Sequence, residues 1–301
     1  MATVAKARPI ARKPLAIGRR SIGRGWMVAT YVGLIVFLLW TLIPFAWMLL
    51  ASLKTNKEIY QEFTLLPQKL YFGHYLSLFN SAGGSKASGN FSRWLLNSSI
   101  VAIVVTLLSI VLGALAAYSI TRLRYTGRAT LARGLIFTYL LPNSLLFIPL
   151  FTIVARLNLA DSIRSLMLVY PTFTLPFCTW MMSSYFRSIP LELEDAALID
   201  GCDRLGVLFR VVLPLSAPAV AVVALFAFTQ SWNEFLYALV FTNSLASRTV
   251  TVGLTQMLGE DVFFWGQMMA GALIAAVPPV ILYMFAQRLV ISGLAAGGVK
   301  G

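Results

Sequence analysis

Six apolar runs, parted by short polar segments, constrain this chain more than any other feature of its sequence. They lie at about residues 26–51, 94–120, 135–157, 166–185, 217–241 and 268–285. As a helix, the run from Trp26 to Ala51 covers roughly 39 Å, ample for a hydrocarbon core about 30 Å thick. Hydrophobic residues make up 58% of the chain and charged residues 12%, about half the charged share usual in a soluble domain. The expected fold class is an all-α membrane protein with six transmembrane helices over residues 26–301, preceded by a basic arm over 1–25. Arg19-Arg20 resembles a twin-arginine signal, but the apolar run after it is too long for a signal core and lacks a small-residue cleavage site. An uncleaved first span is therefore expected.

The net charge of +13 reads as topology, since the basic residues flank apolar runs and form no aromatic-interleaved surface for nucleic acid. Six spans put both termini on one side. Sixteen basic residues fall on the side of the termini and the 186–216 loop, against eight on the other. The positive-inside rule then places the termini and that loop on the cytoplasmic side of the membrane. Catalytic and metal chemistry finds no support. Cys178 and Cys202 have no ligand spacing, His74 is the only histidine, and no GxxxxGK[ST] occurs, so the chain itself is expected to bind no cofactor.

Prolines interrupt several spans. The third contains Pro142, Asn143 and Pro149, the fourth Pro171 and Pro176, and the sixth Pro278-Pro279. A proline frees a backbone carbonyl, tolerated at membrane depth where protein or water satisfies it. The third span is thus expected to face protein or a water-filled path, with a plain proline kink as the equal alternative.

The loop 186–216 concentrates acid: Glu192, Glu194, Asp195, Asp200 and Asp203. Pro190 fits the first turn of a helix, the carboxylates favour its positive end, and Gly201 fits a left-handed cap. Leu191, Ala197 and Leu198 are expected on its inner face. A second helix is expected from Asp203 to Leu213, with Leu205, Leu208 and Val212 on one face, ended by Pro214. Ser216 and Pro218 suit the cap and first turn of the fifth span. An acidic polar face argues against simple adsorption to anionic headgroups and for docking to a cationic protein partner.

Glu234 is the other residue of note, about 25 Å along the fifth span beside Trp232 and Asn233. Two readings stand. In one, Trp232 stacks on a sugar while Asn233 or Glu234 bonds its hydroxyls. In the other, Glu234 is paired structurally and braces a subunit interface.

Asp195-Ala196-Ala197, three residues, Gly201, nine residues, Val211, one residue and Leu213-Pro214 resembles the EAA loop of binding-protein-dependent ABC importer permeases. Asp195 and Val211 depart conservatively from that family's Glu and Ile. SLKTNKEIY at 52–60, WLLNSSIVA at 94–102, SWNEFLYALVFT at 231–242 and the C-terminal QRLVISGLAAGGVKG are similar to the smaller, maltose-system G-type permease of the carbohydrate-uptake branch. The resemblance covers residues 27 to the end. It implies a type I importer fold in which the loop between spans four and five carries a coupling helix docked to a cytoplasmic ATPase dimer, where ATP and Mg bind. It also implies a second, F-type permease subunit and an extracytoplasmic sugar-binding protein as partners. Glu194 or Asp195, with Ala196, Ala197, Asp200, Gly201, Leu213 and Pro214, would form the ATPase-coupling element. Asn143, Trp232, Asn233 and Glu234 are candidates for the translocation path or the subunit interface. In the maltose system sugar contacts belong mainly to the partner permease, which favours the structural reading of Glu234. A polyol or glycerol phosphate importer is the alternative within the family. An ion-coupled secondary transporter would need several ionisable residues at mid-membrane and an internal repeat, and only Glu234 qualifies.

Overall fold

A computed structural model describes residues 24–61, 64–80, 85, 88–258 and 264–297. Most of the basic arm at 1–25 and most of the 81–90 loop lie outside the described residues. The chain divides into two compact units, 1–47 and 48–301. The first carries helix α1 (Arg24–Ser52) as far as Trp47. Its side chains are exposed on every face from Gly25 to Trp47. A helix apolar all round is suited to lipid or to a partner's apolar surface.

Among its described residues, the regular secondary structure of the second unit is all helical. After α2 (Asn56–Tyr60) and α3 (Gly73–Phe79) comes the long α4 (Phe91–Arg122). Thr55 caps α2 through a reciprocal capping box with Glu58, which fixes the chain as it leaves α1. Nearby, His74 is buried and its Nε2 donates to the Lys54 carbonyl at 2.9 Å, a locally bonded ring. Next are α5 (Arg128–Leu140), α6 (Phe147–Arg156), α7 (Ile163–Val169) and α8 (Pro171–Phe186). A third span over 135–157, interrupted by Pro142, Asn143 and Pro149, was expected to begin at Leu135 and at most to kink. Instead the helix starts at Arg128 and breaks at Leu141, and the arms on either side of the break bend by 98°. Pro142 is the cause: it pushes Leu141 out of the helical region, to φ −69° and ψ 130°, and is itself extended at ψ 125°.

The acidic segment forms α9 (Leu191–Ile199) and α10 (Arg204–Val207), and a wide π turn over Leu208–Val212 leads into α11 (Leu213–Leu215). Helix α12 (Ala217–Asn233) follows after an 86° bend. The expected fifth span ran unbroken to 241, but it stops at Glu234 and restarts as α13 (Leu236–Phe241). Finally α14 (Val250–Gln256) precedes α15 (Trp265–Gly297), which extends well past the expected end at 285. Among the described residues three helices are long and apolar enough to cross a membrane, or up to five if each bent pair is one span.

Helix α4 is central, packing on α8 and α12, with α15 against α12 on another side. Small residues let α4 and α8 meet closely: Ala114 and Ala117 are fully buried, and a Cβ on Gly113 would sit 3.3 Å from that of Cys178. The start of α4 anchors a distant loop. Trp94 donates through Nε1 to the Leu245 carbonyl at 2.8 Å, and Asn97 Nδ2 donates to the Ala246 and Arg248 carbonyls at 2.9 Å. Ser98 Oγ accepts from the amide of Val250 at 2.8 Å, capping α14. The WLLNSS stretch is thus an anchor for residues 245–250.

Candidate functional site

Helix α9 begins with Pro190 as its cap rather than within its first turn. Of the expected inner face, Ala197 and Leu198 turn inward and Leu191 does not. Leu191 is 55% exposed, while Glu194 and Ala197 point inward with Leu198 partly covered, the i, i+3, i+4 stripe of a helix. Gly201 adopts φ 89°, the left-handed cap that its position after α9 predicts. Asp203 then caps α10, accepting from the Gly206 amide at 2.8 Å. Here too the inward set differs from expectation, being Val207, Leu208 and Val212, with Leu205 exposed. Pro214 does not end the second helix. The π turn lets the Leu213 amide reach back to the Leu208 carbonyl, and Pro214, lacking an amide proton, sits at the head of the next turn. Ser216 makes no cap hydrogen bond; its hydroxyl donates to the Val212 carbonyl at 2.7 Å.

Glu194 is the centre of this region. It is 2% exposed and pairs with Arg122, 7% exposed, at 2.6 Å between Nε and Oε1. The approach lies off the hydrogen-bonding direction, so it is a charge contact more than an aligned bond. Tyr118 donates to the other carboxylate oxygen at 3.2 Å. Arg122 Nη2 donates to the carbonyls of Phe186 and Ile189 at 2.6 and 2.8 Å, occupying the open end of α8. One guanidinium therefore joins α4, the end of α8 and α9. By contrast Asp195, Ala196 and Asp200 are exposed, Asp200 closing the helix, while Leu213 is half-buried and Pro214 exposed. The two candidate carboxylates are separated: one faces the bundle and the other faces out.

Arg122 and Tyr118 were missed by sequence reasoning. The only available signal was that Arg122 is the first cation after the second span, opposite a carboxylate that an inward helical face would bury.

At the other end of α12, Glu234 adopts φ −64° and ψ 132°, and its carboxylate turns onto the start of α13. It accepts from the amides of Tyr237 at 2.9 Å and Ala238 at 3.0 Å, and from the Tyr170 hydroxyl at 2.6 Å. Thr251 donates to its backbone carbonyl at 3.0 Å. Trp232 is buried, stacked on Phe228, with Nε1 donating to the Ala275 carbonyl at 3.1 Å. That carbonyl is the one whose helical partner Pro279 removes, so Trp232 satisfies an acceptor freed inside α15. Its indole face is not open to a solute. Asn233 is exposed. Asn143 lies in the break of the third span, its backbone carbonyl accepting from the Tyr237 hydroxyl at 2.7 Å.

Long apolar helices, proline breaks and a closely packed bundle, with a short acidic helix pinned across helix ends, are the features of a multi-pass membrane protein. In fold the chain is similar to a bacterial ABC transporter involved in the import of the acidic polysaccharide alginate, at a TM-score of 0.75 and 23% identity over 89% of this chain and 97% of that one. The chain belongs to the family of binding-protein-dependent transport system inner membrane components, which matches residues 109–295 and so includes the acidic segment. It is 38% identical to the inner membrane ABC transporter permease protein YcjP of Escherichia coli, covering 95% of this chain and all of that protein. It is 40% identical to the sulfoquinovosyl glycerol transport system permease protein SmoH of Agrobacterium fabrum, covering 86% and 89%. The trehalose/maltose transport system permease protein MalG of Thermococcus litoralis is 33% identical, with 90% and 95% covered.

Proposed function

We propose that this chain is the smaller, G-type permease subunit of an ATP-driven, binding-protein-dependent sugar importer of a bacterial inner membrane. The relatives named for trehalose/maltose and sulfoquinovosyl glycerol transport support sugar as the cargo class. In this reading the chain crosses the membrane six times, with α5–α6 and α7–α8 each as one crossing, and the termini and α9 lie in the cytoplasm. Its partners are an F-type permease, an ATPase dimer that carries ATP and Mg, and an external sugar-binding protein.

The observation that carries the proposal is the two-sided character of α9. Its inner side is bolted to α4 and α8 through Glu194 and Arg122, so a push on the helix reaches the bundle without slack. Its outer side offers Asp195 with the small Ala196 beside it, then the exposed Asp200 and Gly201. Asp195 is the carboxylate we assign to the ATPase contact, Glu194 being already engaged. Pathway and interface roles fall to Asn143 and Asn233, while Trp232 and Glu234 shape the wall behind them.

Gly201 provides the test. Among the described residues, no atom beyond its two chain neighbours lies within 4 Å of a Cβ built there, so a bulky side chain meets nothing internal. The cost inside the subunit is the left-handed backbone alone, about 1–2 kcal/mol. A Gly201→Trp chain should insert and assemble with its permease partner but lose ATP-dependent sugar uptake, because the indole occupies the docking surface. Wild-type uptake by this variant would sink the proposal.

A further inference from the structure

We infer that this subunit contributes its own solute subsite at the break of the third span, a cleft built for an uncharged polyhydroxylated solute. The inference rests on the importer reading above and adds where this chain touches the cargo and which cargo it admits.

The cleft has a volume of about 350 Å³ and is lined by residues including Thr138, Tyr139, Asn143, Thr172, Phe173 and Gln230. That volume falls within the roughly 300–1,000 Å³ of small-molecule sites. Its lining joins the broken α5, the start of α8 and the later half of α12. Asn143 and Gln230 are exposed, and neither side-chain amide has a partner among the described residues. Each offers two donors and an acceptor that hydrocarbon could not satisfy, so this face meets water, solute or a polar partner. The Thr138 hydroxyl donates to the Leu135 carbonyl within α5 and that of Thr172 to the Val169 carbonyl at the end of α7, and both keep lone pairs for an incoming hydroxyl. Pro176 removes the helical donor to the Thr172 carbonyl, adding an acceptor. Tyr139 and Phe173 supply ring faces, the apolar complement of a pyranose.

No lining residue carries a charge. The carboxylate of Glu234, on the break after α12, is spent on Tyr170, Tyr237 and Ala238. Through Tyr237, whose hydroxyl donates to the Asn143 carbonyl, it fixes the cleft's wall without entering it. Mixed donors and acceptors with ring faces and no cation suit a neutral sugar. They give a uronate or a phosphate no counter-charge, and an unpaired anion at this depth is costly.

The test uses the complete transporter in proteoliposomes. First, Gln230→Cys and Thr172→Cys are treated with a neutral, water-soluble methanethiosulfonate reagent, and labelling is counted over that of the parent chain. Both cysteines should label, and trehalose or maltose delivered by the binding protein should slow labelling at least several-fold. Absence of labelling above the parent would overturn the cleft as a solvent path, and labelling indifferent to solute would overturn it as a subsite. Secondly, Asn143→Leu with Gln230→Leu should cut uptake about tenfold or more, with Asn143→Gln largely restoring it in the single variant. Uptake unchanged in the double variant is again contrary. Uptake of a di-uronate in preference to every neutral sugar tried would overturn the charge argument. If wild-type vesicles take up none of these sugars with ATP, it is the importer reading that fails, because the labelling result stands apart from transport.

Discussion

Glu194 and Glu234 are carboxylates withdrawn from bulk water at the two ends of the bundle, and they are stabilised by opposite means. Glu194 is held by a countercharge on a different helix, Arg122, which also holds the carbonyls ending α8. Glu234 is held by neutral donors, two from the first turn of the helix that begins beside it. A charge pair between elements is a joint: it keeps α4, α8 and α9 in one register, and its loss leaves an uncompensated charge inside. A carboxylate on a helix start is a fixed cap, where backbone amides and the helix dipole stabilise it together. The first arrangement suits a part that transmits displacement, the second a part that must keep its shape.

Removing one member of the joint should give the largest effect in the chain. Arg122→Ala or Glu194→Ala leaves its partner buried and unpaired, a cost of about 3–5 kcal/mol. Uptake should fall to background, and ATP hydrolysis in the assembled transporter should become independent of the binding protein, because the docked helix moves without the bundle. The exchange Arg122→Glu with Glu194→Arg should recover part of the coupling if charge pairing is what matters. No recovery, with assembly intact, would show that the carbonyl contacts of Arg122 carry the joint instead.

The cap should be softer. Glu234→Gln keeps an acceptor oxygen but points an amide nitrogen at one of three donors, a loss of roughly 1–3 kcal/mol. The expected outcome is a lower unfolding temperature of the purified complex with uptake reduced, while ATP hydrolysis stays coupled. An uncoupled Glu234→Gln transporter would erase the contrast between the two carboxylates.

Much of this was legible in the sequence, for identifiable reasons. Apolar runs and their basic flanks gave α1, α4 and the core of α15 to within a few residues at most ends, because helix length against bilayer thickness needs no tertiary knowledge. The glycine at 201 could be read because few residues other than glycine adopt that backbone readily. The breaks at Leu141 and Glu234 were less accessible. Pro142 warned of the first, but a kinked span and a 98° corner have the same sequence. Glu234 gave no warning, since a carboxylate inside an apolar run reads equally as a ligand, a partner or a cap until the next helix is placed. The inner face of α9 misled for a related reason. Leucines are expected inward, yet the bundle presents a cation and a phenol there, so the carboxylate goes in and Leu191 goes out.

A third carboxylate sharpens the contrast from the mild side. Asp161 sits in the turn between α6 and α7 at φ 55°, exposed, and accepts from the amides of Asn243 and Ser244, both at 2.8 Å, and from the Ser247 hydroxyl. What burial it has pushes its pKa up, but the hydrogen bonds from Ser247, Ser244 and Asn243 outweigh that and bring it down to about 2. Because the folded value lies below that of a free aspartate, about 3.9, its contribution is whole above about pH 4 and is withdrawn as pH falls toward 2. The latch between this turn and residues 243–247 should therefore be indifferent to pH between 5 and 8. Amide exchange at Asn243 and Ser244, corrected for intrinsic rates, should show constant protection over that range, and protection lost by pH 5 would contradict the assignment. Asp161→Ala should speed exchange at both amides yet leave uptake within about twofold, as for most substitutions at exposed positions. A loss comparable to that of Arg122→Ala would mean that this turn, too, is a joint.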